Sequence, residues 1–146
     1  GGYWAMLGVA AALGPLAAGA LADRVGVKTM LSLSLFGMAA AVAAPLVSTH
    51  AAALAFSSIG VGALTMAATA LASARAGKLV PIAEQRRVWG RMTMVYALVY
   101  AGGGYALSLL YAATQSYAPV FAVGGAALVL GGVCALIGLK AARGAQ

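Results

Sequence analysis

Asp23 and Glu84 are the only carboxylates in this chain of 146 residues, His50 is its only imidazole and Cys134 its only thiol. Acid–base, nucleophilic and metal chemistry each need two or more such groups within reach of one another. No nucleophile–base pair, metal-ligand spacing or phosphate-cradling loop is visible, and Gly102-Gly103-Gly104 follows no strand. No catalytic residue, metal or cofactor is therefore expected, and the chain reads as a non-enzyme. His50 could titrate near neutral pH, but it has no acidic neighbour in sequence and reads as an interfacial side chain. Cys134 has no second cysteine to pair with and reads as a small buried hydrophobe. Two features with chemical content remain. One is a charged turn, Gly19-Ala20-Leu21-Ala22-Asp23-Arg24-Val25-Gly26-Val27-Lys28; the other is a pair of hydroxyl rows at helical spacing.

The elements that must carry these groups follow from composition. Hydrophobic residues make up 64% of the chain and charged residues 8%, and the mean hydropathy is +0.99. A soluble domain carries roughly 25% charged residues, so there is too little charge here to cover a water-facing surface. A cytosolic enzyme, a disordered tail and a disulfide-stapled secreted domain are excluded. The net charge of +7 does not make a nucleic-acid binder of so apolar a chain. The environment it requires is a lipid bilayer.

Residues 1–22, 29–74 and 92–139 contain no Asp, Glu, Lys or Arg, giving uncharged runs of 22, 46 and 48 residues. One helical span needs ~20 residues at ~1.5 Å rise each, so the runs hold one, two and two spans. The bends fall at Pro45–His50 and Thr114–Pro119, both polar patches with a proline. Five transmembrane helices are predicted, at about 3–22, 29–47, 51–74, 91–112 and 117–139. Loops 23–28 and 75–90 and the tail 140–146 complete a single all-α membrane domain. All nine Lys and Arg residues fall on one side of this arrangement. Basic loops stay in the cytoplasm, which places the C-terminus inside and the N-terminus outside. Tyr3, Trp4, Tyr111 and Tyr117 would mark the outer interface and Trp89 the inner one. The chain opens without Met or a signal-like segment, and is read as a piece of a larger protein that has lost a leading helix.

The charged turn has the pattern Gly-x-Leu-Ala-Asp-Arg-x-Gly between two apolar spans, which resembles the signature loop of the major facilitator superfamily. Val27 and Thr29 depart from it at positions that are often basic. Val80-Pro81-Ile82-Ala83-Glu84-Gln85-Arg86-Arg87 is similar to that family's loop between its fourth and fifth helices. The surroundings of Trp89, Thr93 and Tyr117–Phe121 resemble the YbfB/YjiJ-type branch. The resemblance implies that the five spans are helices two to six of a partial six-helix half of a major facilitator bundle. The short basic tail suggests the C-terminal half, with the missing N-terminal half as partner. It further implies a secondary transporter of a bacterial inner membrane, moving a small-molecule organic solute by alternating access. Gly19, Asp23, Arg24, Gly26 and Lys28 would then form a conformational-gating loop, in which Asp23 latches the cytoplasmic side against the opposite half.

Physical chemistry supplies a reason for such a latch. Asp23 lies at the C-terminal end of a helix, where the macrodipole disfavours a carboxylate by some tenths of a kcal/mol or more, so a basic or N-terminal partner elsewhere would suit it. Gly26 permits a left-handed turn, and Gly19 permits close helix approach. A solvated Asp-Arg turn that serves only topology is the alternative.

The hydroxyl rows divide the helices. Ser58, Gly62, Thr65, Thr69 and Ser73 fall within an arc of about 80° on the third span. Thr93, Tyr96, Tyr100, Gly104, Ser108 and Tyr111 fall within about 120° on the fourth. Such rows mean helix packing or a wet pathway. By count these two spans are the cavity-lining helices of the resemblance, which makes Ser58, Thr65, Thr69, Tyr96 and Tyr100 the substrate-cavity candidates. The second span, with Ser32 and Ser34 only near one end, is expected at the periphery. Gly124, Gly131 and Gly138 recur every seven residues on the fifth span and read as a packing seam. Apart from Arg91 at the very start of the fourth span, no span carries an ionisable carboxylate, Lys or Arg, so the interior holds no evident proton carrier. The competing reading is a non-transporting accessory or scaffold module, whose small-residue seams would be oligomer interfaces.

Overall fold

The computed structural model describes the backbone of residues 1–143 and the side-chain packing of residues 1–137. Its helices are α1 (Gly2–Val25), α2 (Val27–Val47), α3 (Ala51–Leu79), α4 (Ile82–Thr114) and α5 (Ala118–Arg143). Each is long and apolar enough to cross a membrane, and among the described residues there is no strand. A helix satisfies its own backbone groups in lipid, where nothing else would. The chain is an all-α membrane protein.

The connections are shorter than expected. Residues 23–28 and 75–90 were expected as loops, yet Gly26 alone separates α1 from α2, and only Val80 and Pro81 separate α3 from α4. Lys, Arg, Glu and Gln are good helix formers, so the helices run on past the last apolar turn until something stops them. At the first turn the stop is Gly26, whose φ of 90° and ψ of 140° suit glycine alone. Its N–H donates to the Ala22 carbonyl at 2.8 Å, and its own carbonyl accepts from Met30 N–H at 3.0 Å. At the second turn Pro81 drives Val80 into extended backbone. Pro45 does not end α2, which continues to Val47 before Ser48 turns extended. Gln115 closes α4 in the left-handed region, with φ 50°.

Small residues draw α1 onto α3. Gly14, Ala18 and Ala22 are buried at successive fourth positions of α1, facing Gly62, Ala67 and Leu71 of α3. A Cβ at Gly14 would strike the Ala63 backbone, and one at Gly62 would strike that of Leu7. Backbones this close gain dispersion along their whole seam, the main attraction between helices in lipid. Gly19 is not part of it: among the described residues nothing beyond its own helix lies within 4 Å of the position its Cβ would take.

α2 packs on both α3 and α5 and, against expectation, is the most deeply buried helix. Ser32 and Ser34 are its enclosed polar side chains; their hydroxyls donate to the Lys28 carbonyl at 3.4 Å and the Met30 carbonyl at 2.8 Å. The expected glycine seam of α5 meets α2, with Leu35 near Gly131 and Val42 near Gly124. The tightest point is the unforeseen Gly132, where an added Cβ would lie 2.8 Å from the Phe36 ring; Gly138 lies outside the described side chains. Cys134, expected to be buried, is exposed on α5. The Gly102-Gly103-Gly104 run does not break α4, and among the described residues no other helix packs closely against it.

α4 stands apart. It meets α3 at their elbow and α5 at theirs, and none of its residues is buried.

Candidate functional site

Both halves of the sequence reading can be placed. In the charged turn Asp23 and Arg24 are exposed on the last turn of α1, and Lys28 lies half-buried on the first turn of α2. Arg24 complements the negative end of the α1 dipole, whereas Asp23 opposes it. Gly26 fixes the angle between the two helices through its positive φ. Gly19 lies two turns back along α1.

The α3 row is divided by its neighbours. Gly62 is pressed against the Leu7 backbone of α1. Thr65 is half-buried against α2: its hydroxyl oxygen lies 2.7 Å from the Val61 carbonyl and 3.1 Å from the Met38 sulfur. Ser58 is half-buried, while Thr69 is exposed and donates its hydroxyl to the Thr65 carbonyl at 3.0 Å. Part of this row is thus a packing seam.

The α4 row is different. Tyr96 is 59% exposed and Tyr100 74%, so their hydroxyls remain free for something outside this chain. Their rings stack at 5.9 Å between centroids with 24° between planes, which holds both phenols on one side of the helix. Thr93 and Ser108 donate to the Trp89 and Gly104 carbonyls one turn back, at 3.0 and 2.9 Å. Among the described residues no hydrogen bond joins the α3 candidates to Tyr96 or Tyr100. At the far end Tyr111 and Tyr117 stack at 4.4 Å across the α4–α5 turn.

Among the described residues no cluster of His, Cys, Asp or Glu could hold a metal ion. A groove between α1 and α3, lined by Met6, Val9, Leu13 and Ile59 among others, is apolar throughout. Residues 2–136 match the family model described as uncharacterised MFS-type transporter YbfB. The chain belongs to this family of major facilitator transporters. No curated protein and no solved structure matches it. The YbfB-type family points to transport rather than catalysis, and five long apolar helices suit carriage across a membrane.

One polar site in this YbfB-type chain was not foreseen. At the α3–α4 elbow a cavity of about 350 Å³ is lined by Ser73, Gly77, Val80, Gln85, Arg86 and Trp89, together with Ala76 and Val88. The Gln85 amide donates to the Gly77 carbonyl at 3.0 Å and the Val80 carbonyl at 3.3 Å. It thereby satisfies carbonyls that the end of α3 leaves without helical partners. The only signal in the sequence was a glutamine four residues after a helix-stopping proline. Its partners could not be named without knowing how sharply the chain turns.

Proposed function

We propose that the chain supplies helices two to six of the C-terminal six-helix half of a secondary transporter. This carrier moves a small organic solute by alternating access, and the other half of the protein faces α4. The observation that carries this reading is the Tyr96–Tyr100 pair, stacked and exposed on a helix that buries none of its residues. Two phenols unused by their own fold offer donors and acceptors to a solute near the bilayer midplane, where transporter sites lie. Ser58 and Thr69 complete the cavity wall on α3. Thr65 lies beside them, but its hydroxyl is occupied by Val61 and Met38, which gives it a supporting part.

In the same reading Gly19, Asp23, Arg24, Gly26 and Lys28 gate the cytoplasmic side. Asp23 is exposed at a helix end that disfavours it, which suits a carboxylate that finds its partner in only one conformer. The nine cations at one end of the bundle support a cytoplasmic C-terminus and an outside N-terminus, and the family resemblance supports residence in a bacterial inner membrane.

Counterflow in proteoliposomes holding the complete two-half transporter, run against a panel of organic solutes, tests the reading. Tyr100→Ala should lower flux of the transported solute at least tenfold, and undiminished flux in Tyr100→Ala and Tyr96→Ala together would remove the pair from the pathway. Single cysteines at positions 50 and 86 should label from opposite compartments; labelling from the same one would overturn the topology.

A further inference from the structure

The α3–α4 elbow holds a built polar cavity that transport leaves unused. Three things distinguish it from ordinary basic surface. First, Arg86 and Trp89 share the cavity with Ser73, whose hydroxyl makes no hydrogen bond among the described residues. Second, the carbonyls at the end of α3, which would repel an anion, are partly engaged by the Gln85 amide. Third, Arg75, Lys78, Arg86, Arg87 and Arg91 lie on the end of α3 and the first three turns of α4, against the single carboxylate Glu84.

Depth decides what kind of anion fits. The uncharged stretch of α3 ends at Ala74 and that of α4 begins at Met92. The cavity residues lie within about two turns of those limits, roughly 11 Å of helix, and Ser73, Ala76 and Trp89 lie within about one turn. That is headgroup depth, where Trp89 suits the boundary between polar and acyl regions. Val80, Ala76 and Val88 give the cavity an apolar wall beside its cation, which an inorganic phosphate would not use. The volume is near the lower bound of small-ligand sites, adequate for one glycerophosphate headgroup.

We propose that this elbow is a binding site for one anionic phospholipid. Its phosphodiester faces Arg86 and Ser73, and its glycerol–acyl junction lies against Trp89 and Val80. An arginine fork holds a phosphate more tightly than a point charge does, and the site needs neither a solute nor a particular transport direction.

The test uses the purified protein in nanodiscs with Trp4→Phe, which leaves Trp89 as its only indole. Its fluorescence is titrated with brominated phosphatidylglycerol or brominated phosphatidylcholine. Quenching by phosphatidylglycerol should saturate at a mole fraction about tenfold lower, the factor expected of one charge-assisted contact. Arg86→Gln should abolish that preference, Arg86→Lys should keep part of it, and Arg24→Gln, at the other basic turn, should leave it intact. Thermal unfolding identifies any variant that has lost its fold, in which case Arg86→Lys and Ser73→Ala, each lowering the preference, carry the test. Equal quenching by the two lipids would overturn the proposal. So would equal loss in Arg86→Gln and Arg24→Gln, which would mark a diffuse surface field, or displacement of the lipid by millimolar glycerol phosphate, which would mark a soluble ligand.

Discussion

Alanine at Gly14 adds one methyl group where α1 lies closest to α3. The new carbon would lie 2.5 Å from the Ala63 Cα and 2.7 Å from its carbonyl carbon. Carbon atoms rest about 3.5–4.0 Å apart, so the helices must part locally by roughly 1 Å. Those atoms are backbone, and no rotamer change can relieve the clash. A gap of that size forfeits a quarter to a half of each contact along the seam, here including Ala18, Ala22, Ala67 and Leu71. Overpacking of this kind costs ~2–3 kcal/mol, and alanine's better helix propensity returns up to ~1 kcal/mol. The net loss should be about 1–2 kcal/mol, a fall of about 3–6 °C in Tm for a chain of this size. Gly8→Ala is the matched control, because it lies on the same helix with nothing within 4 Å and should gain slightly. Thermal unfolding in mild detergent compares the two. If Gly14→Ala proves as stable as Gly8→Ala, the close crossing of α1 and α3 is wrong.

Other substitutions probe other parts of the molecule. Gly26→Ala forces a side chain into backbone at φ 90° and should cost ~1–3 kcal/mol, seen as a lower Tm and faster proteolysis at the α1–α2 turn. Gln85→Leu removes both donors to the end of α3 and should loosen the elbow by ~1 kcal/mol or more, read as faster amide exchange at residues 77–84. Tyr100→Phe keeps the stacked ring but deletes the hydroxyl; if that hydroxyl contacts solute, KM should rise about fivefold or more while Tm stays within a degree or two. Asp23→Asn should shift the balance of inward- and outward-open conformers, measured by cysteine accessibility, with little effect on unfolding because the carboxylate is exposed.

Helix number and the basic end of the bundle were legible because eleven charged residues in three clusters leave only certain lengths uncharged. Helix ends were less so. Arg75–Leu79 and Ile82–Arg91 are polar enough to suggest a loop, yet their residue types favour helix and only Pro81 interrupts them. Thr65 shows why a hydroxyl row does not reveal its purpose. Spacing puts it on a face with Thr69 and Ser58, but only the register of α2 decides that Met38 meets it. Gly14 and Gly62 were equally silent, since a glycine in a helix does not announce which backbone it admits. Gly19, the more conspicuous residue in a motif, meets no other helix among the described residues.

The brevity of the connections has a mechanical consequence. A single residue reaches at most ~3.6 Å, so Gly26 tethers the adjoining ends of α1 and α2 too tightly for either rod to slide along the other. Residues 48–50 restrain α2 and α3 almost as firmly, and the α1–α3 glycine seam and the close approach of Gly60 to Ala41 hold the three together. They form a stiff raft. α4 joins this raft through Val80–Pro81 at one end and reaches α5 through residues 115–117 at the other, so among the described residues the length between those ends is left for contacts outside the raft.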